Sequence, residues 1–363
     1  MNILMASKIF VESGVASHIK ILSKELVSKG HTVYISSSNN LHTSFCAENN
    51  IEFFFCDFSF SPTRFVSNIR RLKKFLKTHK VDVVHCHHRT CGVYFQILRF
   101  LTGIPFVWSN HLDNIPSDFL HRITTFYGSK AICVSLALKQ FCRNKLRIPD
   151  RDIEVVIHGI EPLDYAIDET YVKEFKDAHC ITDEKIIGLF ARMAPAKGHA
   201  VLLDALAKMP QPALDKTKTV LFGGTEGAYV DSLKEKIREL HLENHVIFEG
   251  FVTPNHALSL SDITVLPSDN EGFGIVSIES FLFKKPHIRT KTAGYEDLAN
   301  GCIGIEIGDS DALSKELTAF VFGKDYSELT EQAYRFFQQR CTVEKMVSRI
   351  LQIYQDACTK MKS

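Results

Sequence analysis

The chain has 363 residues, 45% of them apolar, and its 43 lysines and arginines nearly balance its 42 aspartates and glutamates. This length is too great for one ordinary hydrophobic core and predicts two domains of about 150–200 residues each. The balanced charge excludes a bulk nucleic-acid binder, since such proteins carry a marked excess of basic residues.

The ten cysteines are scattered and include no Cys-x-x-Cys pair. This excludes a disulfide framework and a cysteine-rich zinc site and predicts a reducing compartment. The first ten residues run directly into a predicted strand rather than a secretory signal, and no apolar run approaches the roughly 20 residues that span a bilayer. We therefore expect a cytoplasmic protein, and peripheral contact with the inner face of the cytoplasmic membrane remains open.

Strands and helices alternate through the first half of the sequence. Short apolar runs predict strands, and apolar residues every three or four positions predict helices. Gly30 is expected to end the first helix, because glycine readily adopts the left-handed conformation found there. The predicted strands are 2–6, 32–36, 51–55, 81–85, 106–109 and 131–134, and the predicted helices are 16–29, 63–78, 92–101 and 118–127.

A second alternating series follows the polar stretch 161–174, which we interpret as a linker. Its predicted strands are 186–190, 219–222, 246–249, 263–267 and 287–290, and its predicted helices are 200–208, 228–240 and 275–283. The tail is predicted to be helical from about residue 328 to 361, with a break near 340–342.

This pattern predicts the α/β class, with two Rossmann-like doubly wound parallel-sheet domains facing each other across a cleft. The predicted N-terminal domain spans 1–162 and the C-terminal domain 175–340. Residues 341–363 are predicted to form a helix that packs back on the N-terminal domain.

The segment 269–279, DNEGFGIVSIE, follows a predicted strand and opens a predicted helix. Gly272 and Gly274 let the backbone approach a ligand closely, and the start of the helix offers free N–H groups to a diphosphate. The carboxylates of Glu271 and Glu279 can accept hydrogen bonds from sugar and ribose hydroxyls. Taken alone, a glycine-containing turn with two solvated carboxylates is the commoner explanation.

Two cations, Arg192 and Lys197, follow the end of another predicted strand. Fixed cations there can stabilise the charge that a departing diphosphate acquires. Taken alone, two ordinary surface cations explain the pattern equally well. Near the first strand, the segment 12–15, ESGV, lacks the Gly-x-Gly-x-x-Gly of a dinucleotide site and favours a tight turn near a phosphate or acceptor.

Together these motifs resemble the GT-B glycosyltransferases, specifically glycosyltransferase family 4, over nearly the whole chain. The resemblance implies a retaining transfer, without a protein nucleophile, of a hexose or N-acetylhexosamine from a nucleotide diphosphate sugar. UDP is the default nucleotide, and the implied acceptor is a glycan or lipid-linked glycan in cell-surface polysaccharide synthesis. The resemblance rests on five features of the sequence. They are the glutamates 271 and 279 around a Gly-Phe-Gly turn, the segment 261–268 (SDITVLPS), the pair Gly223 and Gly224, Gly250, and Arg192 with Lys197 and Gly198.

The resemblance also implies roles for individual residues. The diphosphate would lie on the two cations, the ribose on Glu279, the donor sugar on Glu271 and the glycine turn, and the nucleobase beside Phe251 and Val252. The implied catalytic residues are His111, Glu271, Arg192 and Lys197. The implied donor-binding residues are Gly14, Arg192, Lys197, Phe251, Val252, Glu271, Gly272, Phe273, Gly274, Ile275 and Glu279.

Three segments depart from the family pattern. Ser13 and Gly14 stand where two glycines are usual, and residues 157–159, Ile-His-Gly, replace Pro-Asn-Gly. Residues 289–297 replace a loop with paired glycines. These changes bear on the identity of the acceptor more than on donor binding.

No metal or other cofactor is expected, since the nucleotide sugar is a co-substrate. Residues 309–311, Asp-Ser-Asp, resemble a metal-binding Asp-x-Asp, but their place before a predicted helix favours a helix cap. Residues 85–88, His-Cys-His-His, suggest zinc at first sight. They lack a second pair of ligands nearby, which favours structural histidines at a strand end.

Five basic residues lie on the predicted helix 63–78, interleaved with apolar ones: Arg70, Arg71, Lys73, Lys74 and Lys77. Such a helix can lie on an anionic membrane surface. It can equally pack its apolar face on the sheet and leave its cations in solvent. Both interpretations stay open at this point, and neither involves nucleic acid.

Three rival functions share part of this pattern. A nucleotide-sugar epimerase has the same two-domain architecture but would convert the donor without an acceptor. A non-catalytic nucleotide-sugar-binding protein would retain the fold without transfer. A dinucleotide oxidoreductase is disfavoured by the missing Gly-x-Gly-x-x-Gly.

Overall fold

The computed structural model of the protein describes residues 1–11, 13–39, 41–112, 115–162 and 165–360. It divides into two compact units. The first unit comprises Met1–Gly159 and Val343–Ser363, and the second comprises Ile160–Thr342. The chain therefore changes unit at Gly159 rather than within the predicted linker.

The first unit is built on a parallel sheet. In the described residues its seven strands follow the order β3-β2-β1-β4-β5-β6-β7, so the order reverses direction beside β1. This is the topological switch point of a doubly wound sheet, where ligands usually bind. The strands are β1 Asn2–Ala6, β2 Thr32–Ser37, β3 Glu52–Phe55, β4 Val83–Cys86, β5 Phe106–Asn110, β6 Ala131–Cys133 and β7 Ile153–Val155.

Helices flank this sheet. Gly30 has a φ of 80° just beyond the first of them, which confirms the predicted helix end. The helices are α1 Gly14–Ser28, α2 Thr43–Glu48, α3 Pro62–Thr78, α4 Arg89–Thr102, α5 Phe119–Ile123 and α6 Leu136–Asn144.

Helix α5 is shorter than predicted because the following chain packs against the sheet. A Cβ atom on Gly128 would lie 2.0 Å from the carbonyl oxygen of Phe106, so only glycine permits this approach. The N–H of Ser129 donates to the same carbonyl at 2.8 Å. This contact ends the helix, and local periodicity does not reveal it.

The second unit holds another parallel sheet, whose six strands in the described residues follow the order β10-β9-β8-β11-β12-β13. Its strands are β8 Lys185–Phe190, β9 Thr217–Phe222, β10 Val246–Glu249, β11 Ile263–Leu266, β12 His287–Thr290 and β13 Ile303–Ile305. Its helices are α7 Glu169–Ala178, α8 His199–Ala207, α9 Gln211–Leu214, α10 Ala228–Glu239, α11 Pro254–Leu260, α12 Ile275–Leu282, α13 Tyr295–Leu298, α14 Ser310–Val321 and α15 Ser327–Arg340.

The predicted linker 161–174 is wrong in its second part, because α7 begins at Glu169. The Asp168 carboxylate accepts a hydrogen bond from the N–H of Tyr171 at 2.9 Å and caps this helix. Phe175 is buried on its inner face. The acidic residues lie on the solvent side of an amphipathic helix, and their polarity concealed the helical period.

The last helix, α16 (Val343–Lys360), belongs to the first unit. Val347 and Ile350 share a hydrophobic cluster with Ile19 and Leu22 of α1. Within the same cluster, Tyr354 lies fully buried, and its hydroxyl is 2.6 Å from Nδ1 of His85 on β4. This hydrogen bond ties the C-terminal helix to the centre of the sheet.

Replacing Tyr354 with phenylalanine is expected to destabilise the protein by about 1–2 kcal/mol, because Nδ1 of buried His85 loses its partner. Urea unfolding followed by circular dichroism measures the change. Tyr334→Phe is the matched control, since no hydrogen bond of that hydroxyl is found within the described residues. Equal stability of both variants would show that the Tyr354 contact contributes nothing.

Helix α3 packs its apolar face inward, with Leu72, Phe75 and Leu76 buried. The apolar face therefore packs on the protein and is not free to enter a bilayer, so a membrane surface could contact only the cations of this helix. The cations of its other face are mostly exposed. Within the described residues, no helix is both long and apolar enough to cross a membrane.

Candidate functional site

The motifs of the second unit that were predicted to bind the donor follow neighbouring strands. Strand β8 lies between β9 and β11, and all three are parallel. Their carboxyl ends therefore meet at one edge of the sheet, where doubly wound folds bind ligands. The loops that leave this edge carry the two cations after β8, the adjacent glycines 223 and 224 after β9, and the glutamate motif, residues 269–279, after β11.

Lys197 and Glu271, predicted from separate motifs, form an ion pair. Nζ of Lys197 lies 2.6 Å from Oε1 of Glu271, and the two side chains are 21% and 12% exposed. The loop is seated by Gly198, whose φ is +73° and whose added Cβ would lie 1.9 Å from the carbonyl oxygen of Pro267. The N–H of Asp269 also donates to the Ala196 carbonyl at 3.0 Å.

Arg192 is exposed in the same loop, and among the described residues it makes no ion pair. The two predicted cations thus differ. An incoming anion meets Arg192 directly, whereas it reaches Lys197 only by replacing or sharing the Glu271 carboxylate.

A buried arginine stabilises the glycine turn before α12 by hydrogen bonds. Gly274 has a φ of +84° directly before the helix begins at Ile275. The guanidinium of Arg289, with no exposed surface, donates from Nη1 to the carbonyl of Phe273 at 2.7 Å and to Oγ of Ser277 at 3.1 Å. A charge-assisted hydrogen bond from Arg289 therefore fixes the turn whose N–H groups were predicted to bind a diphosphate.

Sequence reasoning missed Arg289, although it singled out the segment 289–297 as a departure. The available signal was an arginine inside a short, otherwise buried strand, where unpaired charges are costly. A neutral neighbour completes the support. Burial lowers the pKa of His287 to about 3, and its Nε2 lies 2.9 Å from Oγ of Ser277.

Glu279 lies one turn into α12 and is only 5% exposed. Burial raises the pKa of its carboxyl to about 7, and the hydrogen bond from Tyr165 opposes part of this rise. The Tyr165 hydroxyl donates to Oε1 at 2.8 Å. Tyr165 lies in the stretch predicted to be a linker, so its contribution to this motif was missed.

Phe251 presents a free aromatic surface at the same edge, with 71% of its area exposed. Gly224 is close to it, since an added Cβ would lie 3.8 Å from Cε2 of the ring. Val252 is half-buried and packs on a hydrophobic cluster of the second unit. An exposed ring beside a glycine pair offers a flat apolar surface for a base to stack on.

In the first unit, Gly14 opens α1, and Ser13 caps that helix by accepting from the N–H of Ala16 at 3.2 Å. A Cβ on Gly14 would meet nothing within 4 Å, so the helix start is open. The neighbouring Glu12 of this motif lies outside the described residues.

His111 follows β5 and belongs to a buried group of imidazoles, here termed the histidine cluster: His18, His87, His111 and His158. Nε2 of His111 lies 3.3 Å from Nδ1 of His87, and the Nδ1 atoms of His18 and His158 are 2.9 Å apart. Burial lowers the pKa of all four side chains, which keeps the rings neutral. His158 belongs to the segment that replaces Pro-Asn-Gly.

Two residues of the remaining motifs, His85 and Asp309, have structural roles. Nε2 of His85 lies 2.7 Å from Oγ of Ser109, in addition to the Tyr354 contact, so this histidine supports the sheet. Asp309 caps α14 by accepting from the N–H of Ala312 at 2.8 Å. The cap predicted for the Asp-Ser-Asp segment is confirmed.

Comparison with known families decides the identity of the chain. The family described as "Glycosyltransferase Family 4" matches residues 13–162, and the one described as "Glycosyl transferases group 1" matches residues 172–335. The chain belongs to glycosyltransferase family 4. The predicted family and the sugar-transferring class of enzyme are thereby confirmed, which argues against the epimerase, the oxidoreductase and the non-catalytic binding protein.

Individual relatives of this glycosyltransferase agree. An uncharacterized glycosyltransferase, MJ1607 of Methanocaldococcus jannaschii, is 26% identical over 61% of this chain and 61% of its own. The alpha-monoglucosyldiacylglycerol synthase of Streptococcus pneumoniae is 23% identical over 95% of this chain and 83% of its own. The crystal structure of Anabaena Alr3699/HepE in complex with UDP is 20% identical, with a TM-score of 0.84 over 98% and 100% of the two chains. This likeness confirms that the glycosyltransferase has the GT-B fold.

Proposed function

We propose that this glycosyltransferase moves a hexose or N-acetylhexosamine from a UDP-sugar to a glycan or lipid-linked glycan acceptor, with retention of configuration. The observation that carries the donor assignment is the Lys197–Glu271 ion pair beside exposed Arg192 and the glycine turn. The UDP bound by the structurally similar Alr3699/HepE supports the choice of nucleotide.

The donor diphosphate would bind by exchanging partners. The negatively charged diphosphate replaces Glu271 as the partner of Lys197 and contacts Arg192. It also accepts hydrogen bonds from the N–H groups at the start of α12. Glu271, released from the lysine, can then accept hydrogen bonds from the donor sugar. The binding of one ligand thus prepares both the cation and the carboxylate.

The same cations would drive the chemistry. Cleavage of the sugar–phosphate bond places charge on the diphosphate, and cations held in position stabilise it without reorganisation during the reaction. Two cations and a helix terminus supply this stabilisation, so we propose that transfer requires no metal ion. The acceptor attacks from the side of the leaving group, and no protein nucleophile takes part.

The remaining roles rest on the family resemblance together with each residue's setting. Phe251, with its exposed ring, would stack on the nucleobase, and Val252 would support it. Glu279 would accept from the ribose diol. We assign Gly14 to the phosphate or acceptor and His111 to the reacting sugar on the family pattern.

Selective thermal stabilisation by UDP and one UDP-sugar is expected, because the donor site binds both parts of the molecule. A panel of nucleotide sugars, with GDP and NAD as references, measures the shift in Tm. The stabilising sugar is then supplied as donor to candidate acceptors. If no nucleotide stabilises the folded protein, the donor-site assignment is wrong. If GDP alone stabilises it, the donor nucleotide is GDP rather than UDP.

We further propose that an anionic membrane surface is a partner of α3. The residues that would contact the membrane are Arg70, Arg71, Lys73, Lys74 and Lys77. Since the apolar face of the helix is buried, the contact would be electrostatic, and each basic residue would contribute about 1 kcal/mol. The diacylglycerol in the name of the Streptococcus pneumoniae relative is consistent with an acceptor at a membrane.

Binding to vesicles of anionic lipid is expected at low salt and should fall when Lys74 and Lys77 are replaced by glutamate. Co-sedimentation with phosphatidylglycerol vesicles measures it, with phosphatidylcholine vesicles for comparison. Lys145→Glu with Lys315→Glu is the matched control, because both are exposed lysines away from α3, one directly after α6 and the other on α14. If both double variants lose vesicle binding equally, binding depends on the overall charge of the protein and α3 is not a specific contact.

A further inference from the structure

Three histidines of the first unit converge from different elements. His18 lies on α1, His87 follows β4 and His111 follows β5. Each offers a ring nitrogen, and these three atoms all lie within 4.8 Å of one another. The three side chains are at most 9% exposed. The strands β4 and β5 are neighbours, so the sheet places two of these ligands and α1 brings the third.

The spacing is close to that of a metal site. Two nitrogens bound to one tetrahedral zinc ion lie about 3.4 Å apart, given Zn–N bonds of about 2.05 Å. Nδ1 of His87 and Nε2 of His111 are 3.3 Å apart. A third nitrogen that lies 4.8 Å from both of these atoms reaches this geometry by moving about 1.5 Å, within the range of a side-chain rotation.

The hydrogen bonding of His18 supports a ligand role. Its Nδ1 is 2.9 Å from Nδ1 of His158, whereas its Nε2 is buried and has no partner among the described residues. If Nδ1 of His18 donates to His158, its Nε2 carries a free lone pair. A hydrogen-bond acceptor that fixes the tautomer of a ligating histidine is typical of protein metal sites, and here His158 would take that place.

The two orphaned nitrogens of the cluster differ. Nε2 of His87 is also buried without a hydrogen-bond partner in the described part of the chain, but it carries the proton when Nδ1 of that ring binds the ion. Nε2 of His18 is the orphan that an ion would satisfy, and buried polar atoms are nearly always satisfied. A bound metal ion would accept the lone pair of an unprotonated imidazole nitrogen and so satisfy it.

We propose that His18, His87 and His111 bind one divalent transition-metal ion, with His158 positioning His18. Neutral imidazoles suit zinc, copper, nickel and cobalt rather than magnesium or calcium, which prefer oxygen ligands. Three protein ligands leave a fourth position for water or another small ligand.

A consequence follows that rests on the proposed function. If His111 acts on the reacting sugar, an ion that occupies its lone pair removes it from that task. The metal would then inhibit transfer rather than support it, in agreement with catalysis that needs no metal. Micromolar zinc should therefore lower the rate, and a chelator should restore it.

The test uses untagged full-length protein, stripped with EDTA and titrated with Zn²⁺ against a chromophoric chelator. One ion per chain at micromolar affinity or tighter is expected. His18→Ala and His111→Ala should each weaken binding at least tenfold, as should His158→Ala, which removes only the positioning contact. His241→Ala, an exposed histidine of the second unit, is the control and should bind as the wild type does.

The ligand set is checked separately with Co²⁺, whose visible absorption reports a tetrahedral site even if an alanine variant fails to fold. Less than a tenth of an ion per chain, or binding unchanged in the cluster variants, would overturn the proposal. Stoichiometric binding without inhibition would uphold the site and reject the role given to His111. Since metal is measured directly, this result is independent of the nucleotide panel.

Discussion

Replacing Lys197 with alanine is expected to lower kcat about a hundredfold, a loss of roughly 3 kcal/mol of transition-state stabilisation. The lysine ammonium lies 2.6 Å from Glu271, on a loop that Gly198 seats against Pro267. Its position is therefore set before the donor arrives, so the charge that develops on the diphosphate meets a fixed cation. Initial rates at saturating donor measure the effect.

The control for this variant is another paired lysine. Nζ of Lys236 on α10 lies 2.7 Å from Oδ1 of Asp204 on α8. Lys236→Ala also breaks an ion pair and should leave kcat unchanged. Turnover near that of the wild type in Lys197→Ala would reject the role of the lysine in transfer.

Glu271→Gln separates the two halves of the ion pair. This variant leaves Lys197 without its carboxylate, so UDP should bind at least as tightly as it does to the wild type. Transfer should nevertheless slow, because the carboxylate that would hold the donor sugar is gone. Weaker binding of UDP by Glu271→Gln would show that the pair does not exchange partners with the diphosphate.

Replacing Glu279 with glutamine is expected to remove a pH-dependent loss of stability of about 3 kcal/mol. The folded-state pKa of Glu279 is about 7, whereas its ordinary value is 4.5. Below pH 4.5 the carboxyl is neutral in both states and costs nothing. Between pH 4.5 and 7 it ionises in the unfolded chain but not in the folded one, so the folded state loses stability as the pH rises.

Above pH 7 the loss stays constant, since the carboxyl is then ionised in both states. Urea unfolding of the wild type and of Glu279→Gln from pH 4.5 to 8 measures the difference between them. Glutamine keeps an oxygen for the hydroxyl of Tyr165, so the comparison isolates the charge. A difference that does not change with pH would mean that the carboxyl has its ordinary pKa.

The same carboxyl provides a test of the ribose contact. Hydroxyls that donate to Glu279 favour its ionised form, so UDP binding near pH 6 should release a proton. Calorimetry in buffers of different ionisation enthalpy counts it. Release that persists in Glu279→Gln would assign the proton to another group.

The sequence by itself determined the class of the fold and located the glutamate motif, residues 269–279. Apolar runs of strand length between helical segments identify parallel sheets, because a strand covered on both faces must be apolar throughout. The glutamate motif was found because the chemistry lies within eleven consecutive residues, from 269 to 279. Local pattern is enough where partners are close along the chain.

Only the tertiary structure decided which distant side chains meet. Lys197 and Glu271 are 74 residues apart, and Tyr165 and Glu279 are 114 apart. Their contacts depend on strand order, because loops from neighbouring strands emerge at one edge of the sheet. The histidine cluster has the same origin, since it joins a residue of α1 to residues that follow β4, β5 and β7. Sequence periodicity reports which face of an element is buried, and burial alone does not identify the partner.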